Sequence, residues 1–247
     1  MKTQKSIQFL LITLLCLSVF LNYKYESRTL LLSNKIHSCF TRRLDTTMLK
    51  KADTGTDNVS LMRRGWTNCI KKLHINSDIA FFGDSHTYFT DFQKNFPDVS
   101  ICNLGLEGDN MKHFPKRLDM LRSVNPDKIF FMGGVNSIKE NTTVLEQQYR
   151  ELFDLFRDSL PHTKIYIQSI LPVNPIKYDT YSDNTKIKSV NQMLEKLVKD
   201  YSFTYIDLYS VYESNGCLPM TMTNDGIHIK PECYDLWAEA ITDYVYN

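Results

Sequence analysis

Short apolar runs alternate with amphipathic stretches along the chain from Asp78 onward. Residues 79–82 form an apolar run stopped by Gly83, residues 99–102 a second, and residues 128–132 a third that leads into Gly133 and Gly134. Residues 164–170 form a fourth, stopped by Pro172, and residues 203–208 a fifth. Runs this short, bounded by Gly or Pro, predict strands. Between them apolar positions recur at helical spacing. Leu145, Tyr149, Leu152, Phe153, Phe156 and Leu160 make one stripe, and Val190, Met193, Leu194, Leu197 and Tyr201 another. A last helix is expected over Tyr234–Tyr246, just after Pro231, a residue type favoured in a first helical turn. Apolar strands alternating with amphipathic helices predict an α/β fold: a three-layer sandwich with a central, mostly parallel five-stranded sheet flanked by helices.

The amino terminus breaks this pattern. Lys2 and Lys5 precede an apolar run over residues 7–21, interrupted mainly by Gln8, Thr13 and Ser18. A basic start followed by such a stretch has the make-up of a signal peptide or a short membrane anchor. Leu21-Asn22-Tyr23-Lys24 is a poor cleavage site, so an uncleaved signal anchor over residues 1–23 is favoured over a cleaved signal peptide or a buried helix. Lysines ahead of the run place the domain outside the cytoplasm, anchored to the membrane by this segment, although Lys24 and Arg28 on its far side pull the other way. After cleavage the same domain would be secreted or periplasmic. Residues 24–60 are polar and weakly patterned and read as a stalk. Residues 61–247 read as the domain, beginning with a short basic helix over residues 61–73.

Charge and cysteine content narrow the function classes. Lys and Arg number 29 against 28 Asp and Glu, and no basic stripe overrides that balance, so nucleic-acid binding is not expected. Of six cysteines, Cys16 lies in the amino-terminal run, and the other five cannot all pair within one chain. No C-x-x-C occurs, so no metal site is expected. Cys217 with Cys233, or Cys39 with Cys69, are the pairs open to disulfide formation in an oxidising compartment. Cys102 reads as a core residue.

In an open parallel sheet functional loops gather at the carboxyl ends of the strands. The first run is followed by Gly83, Asp84, Ser85 and His86, the second by Asn103, Gly105, Gly108 and Asp109, and the third by Gly133, Gly134 and Asn136. Beyond the fifth come Asp225, Gly226, Ile227 and His228. A hydroxyl, glycines with accessible N–H groups, an amide and a carboxylate–imidazole pair are the parts acyl transfer needs. Plainer readings exist: Ser85 or Asp84 as a helix cap, Gly108 as a tight turn, Asp225 and His228 as a surface turn. Asp207, at a strand end, is expected to bond nearby backbone. The first turn is not the G-x-S-x-G elbow, because Thr87 stands at the final glycine's place. The stretches 174–183 and 210–224, the latter with Tyr212 and Met220, are expected to wall the pocket.

These four blocks, in this order, resemble the SGNH hydrolases, the GDSL-type esterase and lipase family, over roughly residues 78–246. Gly83-Asp84-Ser85 matches the first block. Asn103-Leu104-Gly105-Leu106-Glu107-Gly108-Asp109 matches the second, Gly133-Gly134-Val135-Asn136 the third and Asp225-Gly226-Ile227-His228 the last. The resemblance implies a flavodoxin-like sheet, Ser85 as nucleophile, His228 as base and Asp225 as its orienter. It also implies an oxyanion hole of the Ser85 N–H, the Gly108 N–H and the Asn136 amide, with neither cofactor nor metal. His86 stands where the family's name has Leu, and is a candidate for substrate contact or for capping the helix that starts there. The expected activity is hydrolysis of a small or medium acyl ester, such as an acetylated glycan or a lipid. The alternatives are a membrane-anchored O-acyltransferase using the same site and a non-catalytic binding module at the cell envelope.

Overall fold

Each of the five apolar runs becomes a strand in the computed structural model, which describes residues 76–177 and 183–247. The strands are β1 (Ile79–Gly83), β2 (Ile101–Gly105), β3 (Lys128–Met132), β4 (Lys164–Gln168) and β5 (Thr204–Ile206). They lie in the order β2-β1-β3-β4-β5, and all four pairings are parallel. That is the doubly wound order in which the chain leaves β1 in opposite directions, opening a crevice at the carboxyl ends of the strands. The helices are α1 (Ser85–Tyr88), α2 (Phe92–Asn95), α3 (Leu118–Val124), α4 (Thr142–Ser159), α5 (Asn184–Asp200), α6 (Tyr209–Tyr212) and α7 (Tyr234–Tyr246). Single 3₁₀ turns precede α3 and α7. The described residues fall within one unit, Ile75–Asn247. The amino-terminal segment, the stalk, the basic helix at residues 61–73 and the Cys39–Cys69 pair lie outside them. Among the described residues no helix is long and apolar enough to cross a membrane.

Strand alternation sorts the core into two layers. Phe81, Phe130 and Tyr166 are register partners on adjacent strands, and their rings stack in a row at centroid distances of 4.9 and 4.7 Å. Phe92 of α2 stacks on Phe81, and Trp237 of α7 meets Phe92 edge-on, so α2 and α7 cover this face. Phe82 and Phe131 point the other way, toward Phe114 and toward Phe156 of α4. The stripe predicted for residues 145–160 buries Leu145, Tyr149, Leu152, Phe153 and Phe156. The α5 stripe buries Val190, Leu194 and Leu197. Both long helices begin on a side-chain cap, Asn141 accepting from the Thr143 N–H and Asp183 from the Lys186 N–H.

Three details differ from the expected pattern. β2 starts two residues late and runs to Gly105, so Asn103 and Gly105 are strand residues rather than loop. β4 and β5 are shorter than their apolar runs. Past Gln168 the Ser169 N–H bonds the Ile206 carbonyl and the Ser169 Oγ accepts from the Tyr209 N–H, so the polar Ser169 is consumed in closing the sheet edge. Cys217 and Cys233, one of the two candidate disulfide pairs, are both free thiols. Cys102 lies in β2, where burial pushes its thiol up to about 12. Asp207 behaves as expected, accepting from the Ser210 N–H at 3.1 Å.

Candidate active site

β1 ends at Gly83, and a Cβ there would lie 2.5 Å from the Met132 carbonyl oxygen and 2.2 Å from Thr87 Oγ1, so the turn into α1 packs without room for a side chain. Asp84 is the cap of α1. Its Oδ1 accepts the His86 N–H at 3.1 Å, which releases Ser85 from the capping role. Ser85 therefore takes the first helical position, where the backbone N–H has no intrahelical acceptor.

The loop that follows α6 approaches this turn and folds around Asp225. The carboxylate oxygen Oδ1 accepts from the N–H groups of Ile227 at 3.0 Å and His228 at 2.8 Å, while Oδ2 lies 2.6 Å from His228 Nδ1. Gly226 sits at φ 91°, and its N–H donates to Thr223 Oγ1 at 2.8 Å. Burial alone would raise the Asp225 pKa, but the His228 hydrogen bond and the two backbone N–H groups outweigh it and bring it to about 2. The ionised carboxylate holds the proton on His228 Nδ1, which leaves the lone pair on Nε2, and Nε2 lies 2.9 Å from Ser85 Oγ. Ser85, His228 and Asp225, separated by up to 143 residues in sequence, thus form one hydrogen-bonded run.

The other two blocks meet beside it. Gly108 adopts φ 69° in the loop after β2, with open space where a Cβ would be and no protein acceptor for its N–H among the described residues. Asn136 sits in the 3₁₀ turn Val135–Ser137, and its Nδ2 donates to the Asp109 carbonyl at 2.8 Å. An amide nitrogen carries two protons, so one remains to give. Gly134, at φ 134°, makes the entry to that turn, where a Cβ would lie 2.1 Å from the Tyr149 hydroxyl. That hydroxyl donates to the Gly133 carbonyl at 2.5 Å and ties α4 to the loop.

Two readings are corrected. His86, a candidate substrate contact, is 2% exposed, with Nε2 2.9 Å from the Ile227 carbonyl and Nδ1 3.4 Å from Asp84 Oδ1. A side chain so enclosed offers no surface to a substrate. Burial would lower its pKa, yet the Asp84 carboxylate and the Ile227 carbonyl together raise it above its ordinary value. Tyr212, expected in the pocket wall, is a core residue whose hydroxyl donates to the Cys233 carbonyl.

Three residues near the site carried no sequence signal. Phe89, 47% exposed at the end of α1, stands edge-on to the His228 ring at a centroid distance of 5.4 Å. Thr223 supports the Asp225 turn as described. Arg117 is buried, donates to Asp109 Oδ2 and to the Leu104 carbonyl, and lies 4.7 Å over the Phe82 ring. A hydroxyl two residues before the Asp and an Arg eight residues after a loop Asp are too common to single out beforehand.

Comparison with known proteins bears on the family and the fold. No curated protein matches the chain. Among solved structures, a candidate platelet activating factor from Streptococcus pneumonia is 23% identical, with a TM-score of 0.68 over 85% of this chain and 99% of that one. A GDSL-like lipase from Bacteroides thetaiotaomicron is 18% identical, with a TM-score of 0.60 over 76% of this chain and 97% of that one. An acetyl xylan esterase is 18% identical, with a TM-score of 0.58 over 68% of this chain and 98% of that one. At these identities the likeness speaks for the fold. The sequence model of the GDSL-like Lipase/Acylhydrolase family matches residues 81–236, more than half of the chain and a span within which all four blocks lie. The chain therefore belongs to the GDSL-like lipase/acylhydrolase family, the SGNH hydrolases, and is a carboxylic ester hydrolase.

Proposed function

We propose that the protein hydrolyses esters of small or medium acyl groups, with Ser85 as nucleophile, His228 as general base and Asp225 as its orienter. The observation that carries this reading is the run from Asp225 Oδ2 to His228 Nδ1 at 2.6 Å and from His228 Nε2 to Ser85 Oγ at 2.9 Å. A serine hydroxyl is a weak nucleophile until a neighbouring imidazole removes its proton. His228 Nε2 takes that proton as Ser85 Oγ bonds the ester carbonyl carbon. The carbonyl oxygen becomes an oxyanion, received by the N–H groups of Ser85 and Gly108 and by Asn136 Nδ2. His228 then returns the proton to the leaving alcohol as the C–O bond breaks. Water repeats the sequence on the acyl-enzyme, and the free acid departs. Asp225, ionised through the working pH range, stabilises the imidazolium formed in each half-reaction.

Two observations support a short acyl group on a bulkier alcohol. Phe89 presents an exposed ring beside His228, the residue that must reach the leaving oxygen, and an aromatic face suits a sugar ring or an apolar alcohol. One structural neighbour is named an acetyl xylan esterase, so an acetylated glycan is the substrate class we favour. The amino-terminal apolar run after Lys2 and Lys5 supports an extracytoplasmic, membrane-tethered setting in which such a substrate would be met.

A series of p-nitrophenyl esters from acetate to palmitate tests the proposal. The expected result is highest kcat/KM at the short end, with Ser85→Ala and His228→Ala each reduced by about 10⁴-fold or more. Full activity in either variant would overturn the assignment. Acetate turnover that rises on adding a glycan acceptor would point to transfer. A folded protein inert to every ester and to a fluorophosphonate would point to a binding module.

A further inference from the structure

The second histidine of the site has no part in the proton transfers just described. His86 is one residue from the nucleophile and 2% exposed. Its ring centroid lies 5.5 Å from that of His228, yet its nitrogens turn elsewhere. Nε2 meets the Ile227 carbonyl at 2.9 Å, and a carbonyl only accepts, so Nε2 carries a proton and cannot act as a base there. Nδ1 faces Asp84 Oδ1 at 3.4 Å, and the same carboxylate oxygen accepts the His86 backbone N–H. The His86 carbonyl receives Thr90 Oγ1 at 2.8 Å and the Tyr234 hydroxyl at 3.2 Å. Backbone and ring are therefore both held.

The peptide that His86 grips belongs to the residue immediately before His228. Among the described residues no other donor meets the Ile227 carbonyl. The loop around it is built on the Gly226 turn at φ 91° and carries both Asp225 and His228. Ser85 belongs to α1, 143 residues away in sequence. A leucine, the residue in the family's name at this position, would fill similar space but donate nothing, and a buried carbonyl would be left unpaired.

We propose that His86 is a positioning residue that pins the Asp225–His228 loop to the Ser85 turn through the Ile227 carbonyl, with Asp84 orienting its ring. The inference rests on the Ser85–His228–Asp225 reading above. It accounts for the departure from the family's motif as a second link between the two halves of the site, beside the Ser85–His228 bond itself. That bond is broken and remade in every turnover, whereas the His86 link stays.

Kinetics of His86→Leu, His86→Gln and His86→Asn test it, beside Ser85→Ala. Gln can carry its amide nitrogen to the place of Nε2, whereas Asn reaches only as far as Nδ1. The expected outcome is that His86→Leu and His86→Asn lose about 10- to 100-fold in kcat, the scale of a misplaced catalytic group, with KM changed by less than about threefold. His86→Gln recovers most of kcat, and all three melt within a few degrees of one another by about the same measure. Equal kcat in His86→Leu and wild type would overturn the inference, as would His86→Gln and His86→Asn behaving alike. If His86→Leu fails to fold, the Gln and Asn pair decides. Failure of all three to fold would make the residue structural and also overturn it. Activity surviving in Ser85→Ala would instead strike the functional reading beneath it.

Discussion

Asp225 is half exposed, its side chain at 49%, and still keeps its carboxyl near 2, because the His228 ring and the N–H groups of Ile227 and His228 bond its two oxygens. A carboxyl held lower in the folded chain than in the unfolded one stabilises the fold at every pH above its ordinary value of 3.8. That contribution fades as pH falls from 3.8 toward 2. Asp225→Asn is therefore expected to melt below wild type at pH 7, and the gap should close as thermal scans are taken from pH 4 to pH 2. A gap unchanged down to pH 2 would mean the carboxylate adds nothing to stability. Phe89 acts on the other side of His228. Its substitution by Ala should raise KM for a glycan or aryl ester by about three- to tenfold, since aromatic contacts are worth roughly 0.5–1.5 kcal/mol. Melting should hardly change, because the ring is 47% exposed. An effect on kcat alone would assign it to the chemistry rather than to binding.

At the level of elements, the site hangs on loops that other elements brace. The loop after β2 delivers Gly108, and its next residue, Asp109, is locked below by Arg117, in the 3₁₀ turn that leads into α3. The Asp109 carbonyl in turn receives Asn136, so one residue joins the loop after β2 to the loop after β3. Arg117 and Asp109 are both at most 1% exposed. Removing one partner of a buried pair typically costs about 3–5 kcal/mol, because a charge is left without a counterpart. Urea denaturation of Arg117→Met should show a loss of that size. The double variant with Asp109→Asn should lose less than the two single losses added together. Strict additivity would show that the pair does not interact. Asp109 stood in the second block, but its pairing with Arg117 was not legible in the sequence. A charged residue amid Phe114, Leu118 and Leu121 looks like the polar side of a helix until the tertiary structure encloses it.

Over the whole molecule, the two faces of one sheet divide the labour. The row Phe81–Phe130–Tyr166, with Phe92 and Trp237 over it, anchors α2 and α7. Phe82, Phe131 and Phe156 anchor the opposite layer. Because the sheet is parallel throughout, β1, β2 and β3 all release their chains at the same edge, where Ser85, Gly108 and Asn136 emerge. Phe130→Ala, deep in that row, should cost about 3–5 kcal/mol in unfolding free energy, as large cavities do. Fluorophosphonate labelling per folded molecule should stay near wild type below the melting transition. Loss of labelling in the folded variant would mean the core adjusts the site, not merely supports it.

The five strands and the three long helices α4, α5 and α7 could be placed from the chain alone, since a strand covered on both faces reads as a short unbroken apolar run and a helix lying on a sheet as a stripe of period 3.6. Ser85, Gly108, Asn136, Asp225 and His228 could also be singled out there, because each stands in a short block at or beyond a strand end. Where β2 and β5 stop was decided by pairing and by Ser169, which depend on neighbours far along the chain. The tertiary structure alone decided what His86, Arg117, Tyr212 and Phe89 face. Each is a residue whose part depends on what encloses it, and enclosure is made by segments distant in sequence: the Ile227 carbonyl is 141 residues from the histidine that holds it.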